Sequence, residues 1–304
     1  MINSASIFQL MRPLIDGFIG KYDSLPENWK QIFTTKPSEH GFEIAQEIRY
    51  LGFARKKEEG VPISQDSMST RNQKVIRHAT YGLSFPISRE AIKDNIYKTV
   101  FPDRLRALGD SLRATRCQEA MNVLNLGNTT TMTIDGVTLF NTAHPLDNGV
   151  TNSNYAGVAL SEVGIQQAVK DIRGYKQLSG IPAQVKPQLL VVGTANETAA
   201  TILLNSHYRA SVGTANNNAF SGVNDVNSIY HNSTFPKGYI VDNYLTNENF
   251  AAIITDIKGL IHYEREKIQN NEWVDQHSHT NWFSAFERYS FDATDWRSVY
   301  GLMV

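Results

Sequence analysis

Between Phe42 and Ser88 the chain alternates like one long β-hairpin, and the tip between its arms is polar and charged. On the return arm Val75, Ala79, Tyr81, Leu83 and Phe85 share one parity, and Ile76, His78, Thr80 and Ser84 take the other, broken by Arg77. That is the period of a half-buried strand. On the outgoing arm, Glu43 to Ala54, Ile44 and Ile48 are in phase, and Leu51 and Phe53 switch parity near Tyr50, which predicts a bulge. A dozen extended residues span roughly 40 Å, about twice the reach of an ordinary strand. Arg55, Lys56, Lys57, Glu58 and Glu59, with the polar run Ser64 to Asn72, cannot bury a core of their own. The pattern predicts an arm that lies on a neighbouring molecule, with those five charges as its intersubunit contact.

A chain of 304 residues is long enough for one large domain or two ordinary ones. Hydrophobic content of 41% and charged content of 19% fit a soluble globular protein. The net charge of −1 argues against tight, phosphate-led binding of nucleic acid. The single cysteine, Cys117, forms no internal disulfide and fits a reducing compartment. Ile7 to Ile19 is interrupted by Arg12 and Asp16, so no secretory segment is expected, and no apolar run approaches a membrane span.

Along the chain, residues 1–41 form an amphipathic arm with Ile7, Leu10, Met11, Leu14, Phe18, Trp29, Ile32 and Phe33 at helical spacing. After the hairpin comes a long helix, with Pro102 expected near its first turn and Gly127 closing it. Leu105, Leu108, Leu112, Ala120, Val123 and Leu124 form its apolar stripe, and Arg104, Arg106, Arg113 and Arg116 its charged face. A turn at Asp135-Gly136, a helix over Ser161–Leu178, a buried strand over Gln188–Val192 and a helix over Ala195–Asn205 follow. Residues 206–238 read as a long polar loop, Tyr239–Asp242 and Ala251–Thr255 as strands, and Trp282–Val304 as a closing pair of strands.

No dinucleotide or phosphate-binding loop, nucleophile elbow or zincin spacing is present. His277 and His279 beside Asp275 have the spacing of a metal pair on a strand, but their polar surroundings favour a solvated loop. His144 in Phe140-Asn141-Thr142-Ala143-His144-Pro145 lacks a nucleophile nearby, and a turn histidine bonding its backbone is the expectation. Cys117 reads as a small buried hydrophobe. A hydrolase using His144 or the His277/His279 pair is the rival from another class, and no enzyme, cofactor or metal is expected.

The order of parts resembles the major capsid proteins of tailed bacteriophages in the Hong Kong 97-type α+β fold, most of all the Mu-like major head subunits. Tyr50-Leu51-Gly52, the Phe140–Pro145 run, Pro187-Gln188-Leu189-Leu190-Val191-Val192 and Glu264-Arg265-Glu266-Lys267 carry the resemblance by order and spacing. It implies an N-arm (1–41), an E-loop hairpin (42–88), a P-domain with a spine helix (89–150 and 282–304) and an A-domain (151–281). It implies a virion shell of hexamers and pentamers, assembled in the host bacterial cytoplasm and enclosing double-stranded DNA through weak, non-specific contact. Scaffold, portal and decoration proteins are the other implied partners, with no membrane. Arg113 and Arg116 are candidates to face DNA if the spine helix lines the interior. An encapsulin-like compartment shell is the alternative within the same fold. Cross-linked members join an E-loop lysine to an asparagine; Lys56 and Lys57 are present here, but no motif identifies a partner.

Overall fold

The computed structural model describes residues 12–15, 17–18, 22, 26–94, 97–147, 149–209 and 225–303. Ile7, Leu10 and Met11 of the expected arm, and the 210–224 part of the polar loop, lie outside the described residues. The strands, in chain order, begin with β1 (Thr34–Pro37), β2 (Phe42–Arg49), β3 (Ser69–Arg77), β4 (Ala79–Ile87), β5 (His144–Pro145), β6 (Thr151–Asn152) and β7 (Tyr155–Ala156). They continue with β8 (Pro187–Val192), β9 (Tyr208–Arg209), β10 (Asp225–Val226), β11 (Tyr239–Val241), β12 (Ala251–Thr255), β13 (Leu260–Val274), β14 (Asn281–Ala293) and β15 (Val299–Leu302). The chain divides into two units, 1–43 with 75–121 and 261–291, and 44–74 with 122–260 and 292–304.

The first unit holds a four-stranded sheet in the order β1-β13-β14-β4, with β1 parallel to β13 and β4 antiparallel to β14. The long helix, Tyr97–Asn125, packs here through Phe101, Leu105, Leu108 and Leu112, which cluster with Ile87, Ile268 and Phe283. Those leucines recur at three- and four-residue steps, so they share a face, and their burial holds the helix more than propensity could. Pro102 lies inside the helix rather than in its first turn. Its ring removes one backbone bond, but Phe101 and Leu105 on either side are 1% and 7% exposed, and their packing holds the turn.

The second unit is built on a mixed five-stranded sheet, β11-β8-β12-β15-β7. Strand β8 is an interior strand, between β11 and β12, and Leu189 to Val192 are fully buried, as an apolar run with no polar alternation requires. The helix Glu162–Arg173 covers the sheet with Ile165, Ala168 and Ile172, and Ser161 caps it by accepting from the Gly164 N–H at 3.1 Å. The turn at Asp135-Gly136 is present, with Gly136 at φ +79° and a bridge between Met132 and Thr138.

The structure corrects the reading of residues 42–88 as one hairpin. The hairpin is β2 with β3, and the chain breaks at His78, after which β4 leaves to pair with β14. His78 is buried at the break, within 3.0 Å of both Ser38 Oγ and Ser290 Oγ. The inward parity also changes there. Ile76 is 3% exposed and Val75 is 53% exposed, whereas beyond the break Tyr81, Phe85 and Ile87 face inward. No bulge forms at Tyr50, because β2 ends at Arg49. At the other end of the chain, Glu264–Lys267 lie within β13, and β14 and β15 belong to different sheets rather than forming a pair.

His262 of the first unit lies against Phe291 (ring centroids 4.5 Å) and edge-on to Trp29 (4.6 Å). Burial, then the charges of Arg116 and Lys30, pull its pKa down to about 3. The unfolded chain therefore takes up a proton that the folded one refuses, and stability falls as pH drops from about 6.5 towards 3. Replacing His262 with Leu should flatten this acid limb, by about 2–4 kcal/mol at pH 4. Unfolding followed against pH checks it; an unchanged limb would mean that another group carries the acid sensitivity.

Candidate functional site

The hairpin has an inverted amphipathic pattern. In β2 the half-buried parity carries Glu43, Ala45, Glu47 and Arg49, while Phe42, Ile44 and Ile48 are 50%, 51% and 38% exposed. In β3 the inward parity carries Asn72, Lys74 and Ile76, with Val75 outward. Fully burying side chains of this size is worth about 1.5–3 kcal/mol each, so their exposure in the single chain forgoes a sizeable gain.

The inward polar groups have partners. The Asn72 amide donates to Glu47 Oε2 at 3.0 Å. Lys74 Nζ donates to Asp292 Oδ1 and to the Met132 carbonyl, each at 2.5 Å, and to the Ala293 carbonyl at 3.3 Å. Burial raises the Asp292 pKa and the Lys74 charge opposes it; burial likewise raises Glu47, against the Asn72 hydrogen bond.

Further out, Asp66 organises the start of the loop. Its Oδ2 accepts from the Gly52 N–H at 2.8 Å, and its Oδ1 accepts from Ser67 N–H at 2.9 Å and Arg49 Nη1 at 3.1 Å. The Gly52 hydrogen bond first, then those of Arg49 and Ser67, lower its pKa to about 2. Arg49 Nε also meets Asp147 at 3.2 Å, and Arg71 meets the same carboxylate at 3.3 Å. Arg55 to Glu59 lie beyond, all exposed, before a turn at Gly60 with φ +77°.

His144 is fully buried. Its Nδ1 is 2.6 Å from Asp135 Oδ2, its Nε2 is 3.1 Å from Asn154 Oδ1, and its ring stacks on Trp296 at 4.5 Å. Asn154 Nδ2 donates to the carbonyls of Leu139, Trp296 and Val299, which fixes the orientation of the amide. His144 Nε2 therefore donates to Oδ1. The expectation of a backbone-bonded turn histidine is corrected: both ring nitrogens meet side chains. Asp135 and His144 pair as they would in a hydrolytic triad, but the second nitrogen is occupied by Asn154 and closed to solvent. His277 and His279 sit in the exposed turn between β13 and β14, where Asp275 accepts from the His277 N–H. Among the described residues no three metal-ligating side chains cluster.

The profile of the phage capsid protein family matches residues 71–302, well over half of the chain. The chain belongs to the phage capsid protein family. Among proteins of curated function none matches it. Its fold is similar to the capsid of cyanophage P-SCSP1u, at 10% identity and TM-score 0.58, covering 90% of this chain and 86% of that one. A virus-like particle from Pyrococcus furiosus matches at 12% identity and TM-score 0.55, covering 97% and 99%. The bacteriophage JBD30 capsid matches at 12% identity and TM-score 0.50 over 91% of this chain, which spans 65% of that longer one. The fold is the Hong Kong 97-type α+β fold. The protein is a structural capsid protein of a phage virion.

In this capsid subunit Arg116 is not a DNA-facing group, which corrects the expectation. It is 5% exposed, its guanidinium bonds the Glu287 carboxylate, and it lies over the rings of Tyr22 (4.8 Å), Tyr289 (5.7 Å) and Trp29 (6.0 Å). Arg113 pairs with the buried Glu27 at 3.1 Å. Both arginines tie the helix to the first unit, and the sequence offered no sign of their partners. Asp66, Lys74, Asp147 and Asn154 were also missed. For Lys74 the alternation gave no signal, since it shares parity with Ile76, His78, Thr80 and Ser84, the more polar side of the return arm.

Asn154 collects five hydrogen bonds, from His144 and the Asn141 N–H and to three carbonyls. Asn154→Ala should therefore destabilise the capsid subunit by ~3 kcal/mol or more, since each stranded buried group costs roughly 1–3 kcal/mol. Denaturant unfolding measures this, and a loss below ~1 kcal/mol would mean that the hub contributes little.

Proposed function

We propose that the β2–β3 hairpin is the arm by which each capsid subunit grips the next one within hexamers and pentamers. The observation that carries this reading is the outward apolar face of Phe42, Ile44, Ile48 and Val75 over a paired, inward polar face. Such a face is covered when a second copy arrives, and association then recovers the burial that the lone subunit forgoes. Arg55, Lys56, Lys57, Glu58 and Glu59 at the tip would meet complementary charges on that copy and set register. In domain terms, residues 1–41 act as the N-arm, 42–88 as the E-loop region, 89–150 with 282–304 as the P-domain and 151–281 as the A-domain.

The shell encloses double-stranded DNA, assembles in the host bacterial cytoplasm with scaffold, portal and decoration proteins, and turns over no substrate. A net charge of −1 supports weak, sequence-independent contact with the packaged DNA. The near end-to-end match to the virus-like particle favours a second reading, a shell around other cargo, and the contents of purified particles separate the two.

Two changes test the arm. Replacing residues 56–69 with a short Gly-containing turn should leave a folded subunit that no longer closes stable shells, because that segment is exposed throughout. Ile44→Lys with Ile48→Lys should likewise shift subunit stability by only about 0.5 kcal/mol, since both positions are solvent-facing, while abolishing shells. Thermal unfolding is read beside particle counts by electron microscopy. Variants that assemble like the parent would refute the arm.

A further inference from the structure

Two arginines from the two strands of the hairpin converge on one carboxylate outside it. Arg49, the last residue of β2, and Arg71 in β3 meet Asp147 at 3.2 and 3.3 Å, and Arg71 also donates to the Pro145 carbonyl at 3.1 Å. The platform under Asp147 is firm. Pro145 follows His144, which is held on both nitrogens, and β5 pairs with β6 through His144↔Asn152 and Pro145↔Thr151. Arg49 is shared with Asp66, so Asp147, Arg49, Arg71 and Asp66 form a chain of two positive and two negative charges.

This chain differs in kind from the root of the hairpin. At the root, Lys74 and Asp292 side chains are 21% and 16% exposed, and Lys74 also holds two backbone carbonyls. At Asp147 the three side chains are 28–31% exposed, where ion pairs are weak and are screened by salt. Outward of it, every residue from Tyr50 to Thr70 is exposed except Gly52, which is half-buried. Among the described residues the hairpin thus has a mostly buried root and, outward of it, a solvent-accessible hold at Asp147.

We propose that Asp147 is a clasp that sets the direction of the arm: closed, it holds the hairpin on its own subunit, and opened, it leaves the arm free to swing about the Lys74 root. The inference rests on the arm reading and adds its regulation. A subunit with the clasp closed presents its apolar face in one direction, which favours one geometry of neighbour. An opened clasp lets the same arm meet neighbours at other angles, as positions of differing curvature in a closed shell demand. Salt and competing charges from an incoming copy are the agents that would open it.

The test is a distance measurement on the unassembled full-length chain. Spin labels go on Ser64→Cys at the tip and Lys237→Cys, both exposed, in a Cys117→Ser background. The parent should give one narrow distance distribution at low salt. Asp147→Asn should broaden it roughly twofold, and high salt should broaden the parent to match. Arg71→Gln supplies a second route should Asp147→Asn fail to fold. Distributions that stay narrow in the variant and in salt overturn the clasp. That outcome is distinct from failure of the arm itself, which shows instead as shells that close normally when residues 56–69 are replaced.

Discussion

Lys74 Nζ carries three protons and has three acceptors, the Asp292 carboxylate and the carbonyls of Met132 and Ala293. An ammonium held this way cannot turn outward without leaving the mostly buried Asp292 carboxylate unpaired, which is costly. Residues on a strand alternate strictly, so fixing Lys74 inward also fixes Asn72 and Ile76 inward and sends Val75 out. Its neighbour β2 follows the same pattern, with Glu47 inward to meet Asn72, and Ile44 and Ile48 outward. This one charge, mostly withdrawn from solvent, thereby decides which face of the hairpin turns inward and which stays exposed.

The first unit uses the same device for another purpose. Arg116 reaches Glu287 from the long helix, and three aromatic rings surround the pair. Desolvating both ions is costly, and the rings and the Tyr22 hydroxyl, which bonds Glu287 at 3.3 Å, offset part of that cost. A purely apolar contact would tolerate sliding along the helix, whereas an ion pair in an aromatic box tolerates one register. The second unit has its counterpart in Asn154, His144 and Asp135, a buried network that binds the carbonyls of Leu139, Trp296 and Val299. A histidine–carboxylate pair is thus as much at home in a scaffold as in an active site, and what separates the two is access.

A shell subunit has to remain soluble alone and adhesive in company. On the proposed reading of the hairpin as an arm, it meets both demands by carrying its exposed apolar groups singly along a strand, interleaved with Gln46, Arg71, Gln73 and Arg77, rather than as one broad patch. A net charge of −1 spares an assembled shell the self-repulsion that many like-charged copies would bring.

Much of this architecture was legible in the chain. The helical spacing of Leu105, Leu108 and Leu112, the unbroken apolar run at β8, the Ser161 cap and the extended character of the hairpin arms are local signals, and local physics reads them. What the chain could not disclose was which side of a strand is inside. The phase of Ile44 and Ile48 in β2 left the inside undecided, and they point outward, while Lys74 of the paired strand is held inward by Asp292 at a sequence separation of 218. Arg116 looked like a surface charge until Glu287, at a separation of 171, placed it in the core. Periodicity reports that two faces differ; the partner that neutralises a charge is brought by the fold from elsewhere in the chain. Only the tertiary structure therefore decides whether an apolar stripe is a core or an interface.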